Sequence, residues 1–184
     1  MKKVIFILIF FIGTCFMNAG DNTFSLTVGA GMRYVAEKDL FEEVYGDSHL
    51  AYSVDLGYKF GKSLQLFFHS DYLSVKGELT YTKEETTLTI IPLELGLRYQ
   101  LGQKKLFPYI GAGAGYYMYK EDNPIDTVDE KQFGFFGEGG LKFYFVKSFF
   151  LDLKVKYVSL KVDGEEGDIN IGGMALIGGV GISF

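Results

Sequence analysis

Apolar and polar side chains alternate along most of the chain after residue 20. Between Phe24 and Tyr34, and again between Leu50 and Phe60, every second residue is apolar, and the residues between them are small, polar or charged. This period of two is typical of β-strands, because successive side chains point to opposite faces. Six further segments alternate in the same way, over residues 64–72, 91–101, 109–119, 133–145, 149–157 and 174–184. The pattern predicts eight strands of about ten residues, the length that a tilted strand needs to cross a bilayer.

The two faces of these strands differ in size. One face is bulky and apolar on every strand, whereas the other is rich in glycine and charge. The interior of a barrel this narrow holds only closely packed side chains, so the smaller face fits inside and the bulky face is expected in lipid. The sequence therefore predicts an all-β fold, an eight-stranded antiparallel up-and-down transmembrane β-barrel. A soluble eight-stranded barrel is the alternative, because the period alone does not say which face is inside.

Aromatic residues gather at both ends of the apolar bands, as membrane interfaces select in such barrels. A general preference of aromatic residues for strands is a simpler explanation of their number. It would not place them at the two ends of the apolar bands. One predicted rim contains Phe24, Phe60, Tyr99, Phe145, Phe149 and Phe184. The other contains Tyr34, Tyr52, Tyr72, Tyr116, Phe133 and Tyr157.

The segment before the first strand has the features of a secretory signal peptide. Lys2 and Lys3 precede an apolar run over residues 4–12, and the small residues Ala19 and Gly20 follow it. We expect residues 1–19 to be removed, which leaves residues 20–184 as a single barrel domain. A retained signal anchor and a lipoprotein lipidated at Cys15 are the alternatives.

Composition excludes several classes of protein. The 184 residues carry a formal net charge of −5, so no basic surface supports a nucleic-acid partner. The single cysteine belongs to the predicted signal peptide, so the mature chain has no thiolate for catalysis or for a soft metal. Beyond the N-terminus, no apolar run reaches the ~18 residues that a membrane-spanning helix needs.

The connections between the predicted strands alternate between short and long. The short turns contain Lys62, Lys104, Lys105 and Lys147, whereas long loops one, three and four are rich in Asp and Glu. Short periplasmic turns and longer external loops are usual in these barrels, so we expect the acidic loops outside. They would solubilise the surface or bridge divalent cations to lipopolysaccharide, although no calcium-loop spacing appears and no metal site or cofactor is predicted. We expect a monomer whose partners are outer-membrane lipid and lipopolysaccharide.

Four sequence segments resemble those of small outer-membrane β-barrels. The chain ends in Gly-Val-Gly-Ile-Ser-Phe, with Phe184 last, and this strand resembles the C-terminal signature that the barrel-assembly machinery recognises. Residues 91–99 (IPLELGLRY) and 107–116 (FPYIGAGAGY), together with the hairpin over 140–157, resemble the OmpW group. The resemblance to OmpW- and OmpX-like barrels covers nearly the whole mature chain. It implies an outer-membrane protein of a diderm bacterium, the assembly machinery as a partner, and a channel for hydrophobic ligands as in OmpW.

The inward face carries charges of both signs in nearly equal number. Because the lumen is narrow, these groups should pair across it, since an unpaired buried charge is costly. We expect one salt-bridged lumen network of Arg33, Asp55, Lys59, His69, Asp71, Glu94, Arg98, Glu138, Lys142, Asp152, Lys154 and Lys156. A thin polar pathway is the alternative, whereas a wide pore is excluded because eight strands cannot enclose one.

Pro92 falls inside the fourth predicted strand. Proline cannot donate to a strand ladder, so it is usually confined to edges and bulges. One hypothesis is that the wall is weakened beside Pro92 and gives an apolar ligand a lateral exit into the membrane. The simpler interpretation is a bulge near the outer rim, where pairing would end anyway.

Taken together, the patterns predict a non-enzymatic outer-membrane barrel with a structural or surface-interaction role. A channel for small hydrophobic molecules is the first alternative, and a barrel-embedded lipid-modifying enzyme is the second. Asp47, Ser48 and His49 are residue types suited to nucleophilic catalysis, but adjacency in a loop is not a triad geometry. His69 and Asp71 point into the lumen, where a buried ion pair is expected, so no catalytic residue is predicted.

Overall fold

A computed structural model describes residues 24–35, 49–78, 85–102, 105–122, 127–164, 167–170 and 172–184. The strands within these ranges are β1 (Phe24–Val35), β2 (His49–Phe60), β3 (Leu64–Glu78), β4 (Glu85–Gln100), β5 (Leu106–Asp122), β6 (Thr127–Tyr144), β7 (Phe149–Ser159), β8 (Lys161–Gly164), β9 (Gly167–Asn170) and β10 (Gly173–Ser183). Across the described ranges, no helix is long and apolar enough to cross a membrane.

Eight of these strands close into one antiparallel barrel. The order around the wall is β1-β10-β7-β6-β5-β4-β3-β2, and β8 and β9 form a separate two-stranded hairpin between β7 and β10. Closure joins the two ends of the barrel domain, since the Phe24 and Phe184 backbones exchange two hydrogen bonds with N···O distances of 2.9 and 3.0 Å. The predicted fold class is confirmed.

The alternation of side chains matches the predicted faces. Along β7, exposed and buried residues alternate without exception. Leu153 has an exposed fraction of 61%, whereas its neighbour Lys154 is buried in the interior. The apolar face therefore covers the outside of the wall and the charged face lines the inside, which is the reverse of a soluble barrel.

Inward glycines make room for aromatic rings from neighbouring strands. A Cβ atom built on Gly96 would lie 2.7 Å from Cζ of Phe67. A Cβ atom on Gly140 would likewise meet the Tyr109 ring, and one on Gly181 would meet the Phe150 ring. Because each ring lies over a residue that has no side chain, large rings and charged side chains fit together inside a narrow barrel.

Exposed aromatic residues lie at both ends of the apolar wall. At the end with the short turns, the ring of Phe24 is 4.8 Å from that of Tyr58 and 6.3 Å from that of Phe184. At the other end, Tyr52 is in register with Tyr72, and Tyr116 is in register with Phe133. We call this second set of exposed residues the outer girdle: Tyr34, Tyr52, Tyr72, Tyr116, Phe133 and Tyr157.

Four adjacent strands extend beyond the outer girdle. Strands β3 to β6 remain paired as far as Glu78 opposite Glu85 and Asp122 opposite Thr127. The prediction placed most of these residues in long loops after the third and fifth strands, and for those residues it was wrong. Among the described residues, strands β1, β2, β7 and β10 end close to the girdle, so the described part of the wall is tallest along β3 to β6.

The predicted signal peptide, Cys15 and most of acidic loop one lie outside the described residues. Loop four is described only in part, and its described residues include the β8–β9 hairpin.

Candidate functional site

Arg98 is the centre of the charged interior. Its guanidinium donates through Nε to Oε1 of Glu138 at 2.5 Å and through Nη2 to Oδ2 of Asp55 at 2.8 Å. The cation is also stacked between two rings, since Cζ of Arg98 lies 3.8 Å from the centroid of Phe67 and 4.7 Å from that of Tyr109. Two carboxylates and two aromatic faces therefore compensate one fully buried charge.

A second group of charges lies nearer the outer girdle. Nζ of Lys156 donates to Oδ2 of Asp71 and to Oε2 of Glu94, both at 2.8 Å. The hydroxyl of Tyr117 donates to the other oxygen of Glu94, at 2.8 Å. Nε2 of His69 is 2.8 Å from Oδ1 of Asp71. Each of these carboxylates has two protein partners.

Lys154 connects the two groups. Its Nζ donates to Oδ2 of Asp55 at 3.3 Å and lies 3.2 Å from Nδ1 of His69. Nδ1 of His69 also lies 3.4 Å from Oδ2 of Asp55, and Nε2 faces Asp71. His69 therefore lies between Lys154 and Asp55 on one side and Asp71 on the other.

Lys142 and Asp152 rely on neutral partners. Nζ of Lys142 donates to Oε1 of Gln65 at 3.2 Å and lies 4.9 Å from the centroid of Phe150. Oδ1 of Asp152 accepts from the Tyr109 hydroxyl at 2.8 Å. Gln65 also accepts from Arg98 and from Gln100. The prediction from charge alone missed Gln65, Tyr109 and Tyr117, although their inward phase could have identified them.

Two of the twelve predicted network residues are placed differently. Lys59 is only partly buried, and its Nζ lies 5.9 Å from the centroid of Phe107. Arg33 is buried, but its Nη2 has no hydrogen-bond partner. The structure brings the other ten together: Asp55, His69, Asp71, Glu94, Arg98, Glu138, Lys142, Asp152, Lys154 and Lys156. We refer to these ten as the charged layer.

The side chains at the centre of the charged layer are completely buried. A passage as wide as a water molecule would expose the side chains that line it. Arg98, Glu94 and His69 each have an exposed fraction of 0%. In addition, the Phe67 and Phe150 rings are packed against the cations of the layer. The centre of the charged layer is therefore closely packed.

Above the charged layer, apolar clusters lie beside the buried polar residues Arg33, His49 and Thr86. One cluster consists of Ala51, Leu73, Leu88 and Ile90, with Val75 and Tyr119 packed against it. A second cluster begins at the height of Arg98, where Phe67 packs against the guanidinium, and contains Phe67, Tyr117, Phe136, Val158 and Leu160. Several side chains of the first cluster are on the extended parts of β3 and β4.

Pro92 is buried in β4 at the height of the outer girdle. It is in register with Tyr117 of β5, but its pairing with Asp71 of β3 is missing, as is the pairing of Ile91 with Tyr72. Both missing pairs would require an N–H at residue 92, which proline lacks. No residue is inserted, since register resumes at Leu73 opposite Ile90. The expected bulge at a point where pairing ends is not what the structure shows.

The two histidines are separated in the barrel. His69 is enclosed by Asp55, Asp71 and Lys154, out of reach of a lipid substrate. His49 begins β2 and faces inward, and its neighbours Asp47 and Ser48 lie outside the described residues. Within the described part of the chain, no group of three or more His, Cys, Asp and Glu side chains is placed to hold a metal ion.

A closed barrel with an apolar outer face, two aromatic rims and a charged interior defines a transmembrane β-barrel. The family model described as "Outer membrane protein beta-barrel domain" matches residues 6–184. The chain belongs to this family and is a protein of the bacterial outer membrane. The resemblance to small outer-membrane barrels that the sequence motifs indicated is therefore confirmed.

Solved structures of small outer-membrane barrels share this fold. Neisserial surface protein A aligns with a TM-score of 0.67 and 16% identity, over 89% of this chain and 98% of that one. The N-terminal barrel domain of Pseudomonas aeruginosa OprF aligns at 0.59 and 19%, over 89% and 98%. Outer membrane protein W of E. coli aligns at 0.56 and 15%, over 91% and 100%. No curated protein sequence matches the chain.

Proposed function

We propose that this protein is a non-enzymatic, non-conducting barrel that acts as a structural and surface-interaction element of the outer membrane. The observation that carries the proposal is the charged layer, in which Arg98, Glu94 and His69 are completely buried. A transport path needs exposed polar groups or free space, and this layer offers neither. The acidic loops predicted from the sequence would then be the part of the protein that meets the surroundings.

The pairing within the charged layer supports a structural role. Removing one member of a buried ion pair typically costs about 3–5 kcal/mol, because its partner remains charged and unpaired. Arg98 contacts two carboxylates and Lys156 contacts two others, so the layer ties β2, β3, β4, β6 and β7 together. Such cross-links make the barrel rigid rather than permeable.

Ion conductance in planar bilayers tests the proposal. We expect the wild-type protein to give no unit conductance steps. The double variant Arg98→Ala with Glu138→Ala should give small steps, because it opens the lumen without leaving either partner of that pair unpaired. Heat-modifiable migration on gels would verify that the variant is folded. Conductance steps from the wild-type barrel would overturn the proposal.

A conduit for small hydrophobic molecules is the second candidate. The observation that favours it is the apolar cluster of Ala51, Leu73, Leu88 and Ile90 in the outer lumen, which reaches the height of Pro92. At that height the β3–β4 seam lacks the hydrogen bond that Pro92 cannot donate. In this candidate the ligand would enter from outside and leave sideways, above the charged layer.

Uptake of a hydrophobic solute by cells distinguishes the two candidates. If the conduit operates at this seam, Pro92→Val should reduce uptake several-fold, because valine supplies the missing donor. Pro108→Val is the matched control, since Pro108 lies at the opposite end of the barrel on β5. Uptake unchanged by Pro92→Val, or reduced equally by both variants, would exclude a lateral exit at Pro92.

A further inference from the structure

Three lysines project from the outer surface of the extended strands, just beyond the outer girdle. They are Lys76 on β3, Lys120 on β5 and Lys131 on β6, and all three are exposed. In the ranges whose side chains the structure describes, no other Lys or Arg faces outward beyond the girdle. We call these three residues the lysine row.

Register places the lysine row in one band around the wall. Met118 is opposite Lys131, and Lys120, two residues further along β5, is opposite Thr89 of β4. Thr89 is in turn opposite Ser74, which is two residues before Lys76 on β3. With strands spaced ~4.8 Å apart, the band crosses four strands and is roughly 15 Å wide.

The height of this band matches the headgroup region of a bilayer. Lys76 and Lys120 lie four residues beyond Tyr72 and Tyr116, and Lys131 lies two residues beyond Phe133. At ~3.3 Å per residue and a tilt of about 40°, this places the lysine row roughly 5–10 Å above the girdle. The headgroup region on each side of a bilayer is about 5–8 Å thick. The ammonium groups are therefore at the depth of lipid phosphates.

Carboxylates near the lysine row lie farther from the membrane. Nζ of Lys76 is 3.9 Å from Oε2 of Glu85, and both side chains are about four-fifths exposed, so this contact is weak. Asp129 is opposite Lys120 and lies two residues beyond Lys131. Going outward along β6, the order on the outer face is therefore the aromatic Phe133, the cation Lys131 and the carboxylate Asp129. The cations are the charges nearest the lipid on this face.

We propose that the lysine row binds the phosphate groups of a phosphorylated glycolipid headgroup in the outer leaflet. The acyl chains would lie against the apolar wall below the outer girdle, and the phosphates would meet the ammonium groups above it. Lysine is an effective phosphate ligand as a point charge, and Thr89 supplies a hydroxyl donor within the same band. Because the described part of the wall is tallest along β3 to β6, the lipid would bind on that side of the barrel.

The lysine row needs only the membrane location of the barrel, not a closed lumen. A conducting wild-type protein would overturn the proposed function and leave lipid binding intact, and loss of lipid binding would leave the closed lumen intact. Conductance and lipid binding are therefore measured on the same refolded protein.

Native mass spectrometry of the refolded barrel with lipid A tests the site. The ligand is diphosphorylated lipid A, and the comparison ligand is the same lipid without phosphates. The variant is Lys76→Gln, Lys120→Gln and Lys131→Gln combined. The matched control is Lys62→Gln, Lys105→Gln and Lys147→Gln combined, which removes three exposed lysines from the turns at the opposite end of the barrel.

We expect the lysine-row variant to bind diphosphorylated lipid A roughly 10- to 100-fold more weakly than the wild type, since each Lys near an anionic surface contributes ~1 kcal/mol. The control variant should bind like the wild type, and neither set should change binding of the lipid without phosphates. Equal losses in both variants, or none in the lysine-row variant, would overturn the proposal. Displacement of lipid A by inorganic phosphate at matched ionic strength would also overturn it, because the site would then bind free phosphate.

Discussion

Inside this barrel, the smallest residues determine where the largest ones can lie. Gly96 occupies a position where a Cβ atom would meet both the Phe67 ring and the backbone oxygen of Ala112, 2.8 Å away. The Phe67 ring in turn lies against the guanidinium of Arg98. One absent methyl group thus allows the ring to support the central cation of the charged layer.

Gly96→Ala should therefore lower the free energy of unfolding by about 1–3 kcal/mol, the usual cost of overpacking a filled interior. Urea unfolding of the refolded protein in vesicles measures this change. Gly137→Ala is the control, because Gly137 is on the outward face and a Cβ atom there meets nothing within 4 Å. If the two variants lose equal stability, the packing explanation for Gly96 is wrong.

At the residue scale, the inward phase of the charged side chains was predictable, but their partners were not. The alternation placed Asp55, Arg98 and Lys154 on the inward face of their strands, because successive residues of a strand point to opposite faces. Which carboxylate meets Arg98 depends on the stagger between neighbouring strands around the closed wall. The pattern along any one strand carries no information about this stagger. Arg33 has the same phase and no partner at Nη2, so phase alone does not ensure pairing.

At the scale of elements, alternation predicted the central part of every barrel strand and missed the ends of four. Around Leu73, Val75, Leu88 and Ile90 the inward residues are apolar rather than charged, while threonines occupy outward positions on β4. Above the outer girdle, the inward face of these strands is therefore apolar and the outward face polar, which is the reverse of the arrangement within the membrane. A pattern in which the outward residues are apolar therefore ends at the membrane boundary. The predicted strands end there too, although backbone pairing continues beyond it.

Pro92 shows how little a single residue changes an element when its neighbours hold the register. Proline inside a strand was expected to cause a bulge, yet only the pairs that need its N–H are lost. Pairing on both sides of the gap keeps β3 and β4 in register, and β5 pairs with Pro92 from the other side. The consequence is the loss of one hydrogen bond, about 0.5–1.5 kcal/mol, rather than a break in the wall.

For the whole molecule, closure depends on the pairing of the first and last strands. The Phe24 and Phe184 backbones exchange two hydrogen bonds, and their rings are stacked at 6.3 Å. Removing Phe184 deletes both bonds and the ring, whereas Phe184→Ala deletes only the ring.

We expect deletion of Phe184 to lower the free energy of unfolding by about 1–3 kcal/mol more than Phe184→Ala does, since two backbone hydrogen bonds are lost in addition. Urea unfolding and refolding in vesicles, without assembly factors, provides the measurement. Equal stability of the two variants would show that the terminal backbone pair does not contribute to closure.

The side-chain pattern along the chain was enough to predict that this protein lies in a membrane, how many barrel strands it has and which face of each strand meets lipid. These properties are local, because they follow from the period of side chains along one strand and from the size of those side chains. Only the folded barrel shows which charges pair, that the centre of the charged layer is completely buried, and that three lysines on different strands form one band just beyond the outer girdle. Those properties depend on the register between strands distant in the chain, and register is settled only when the barrel closes.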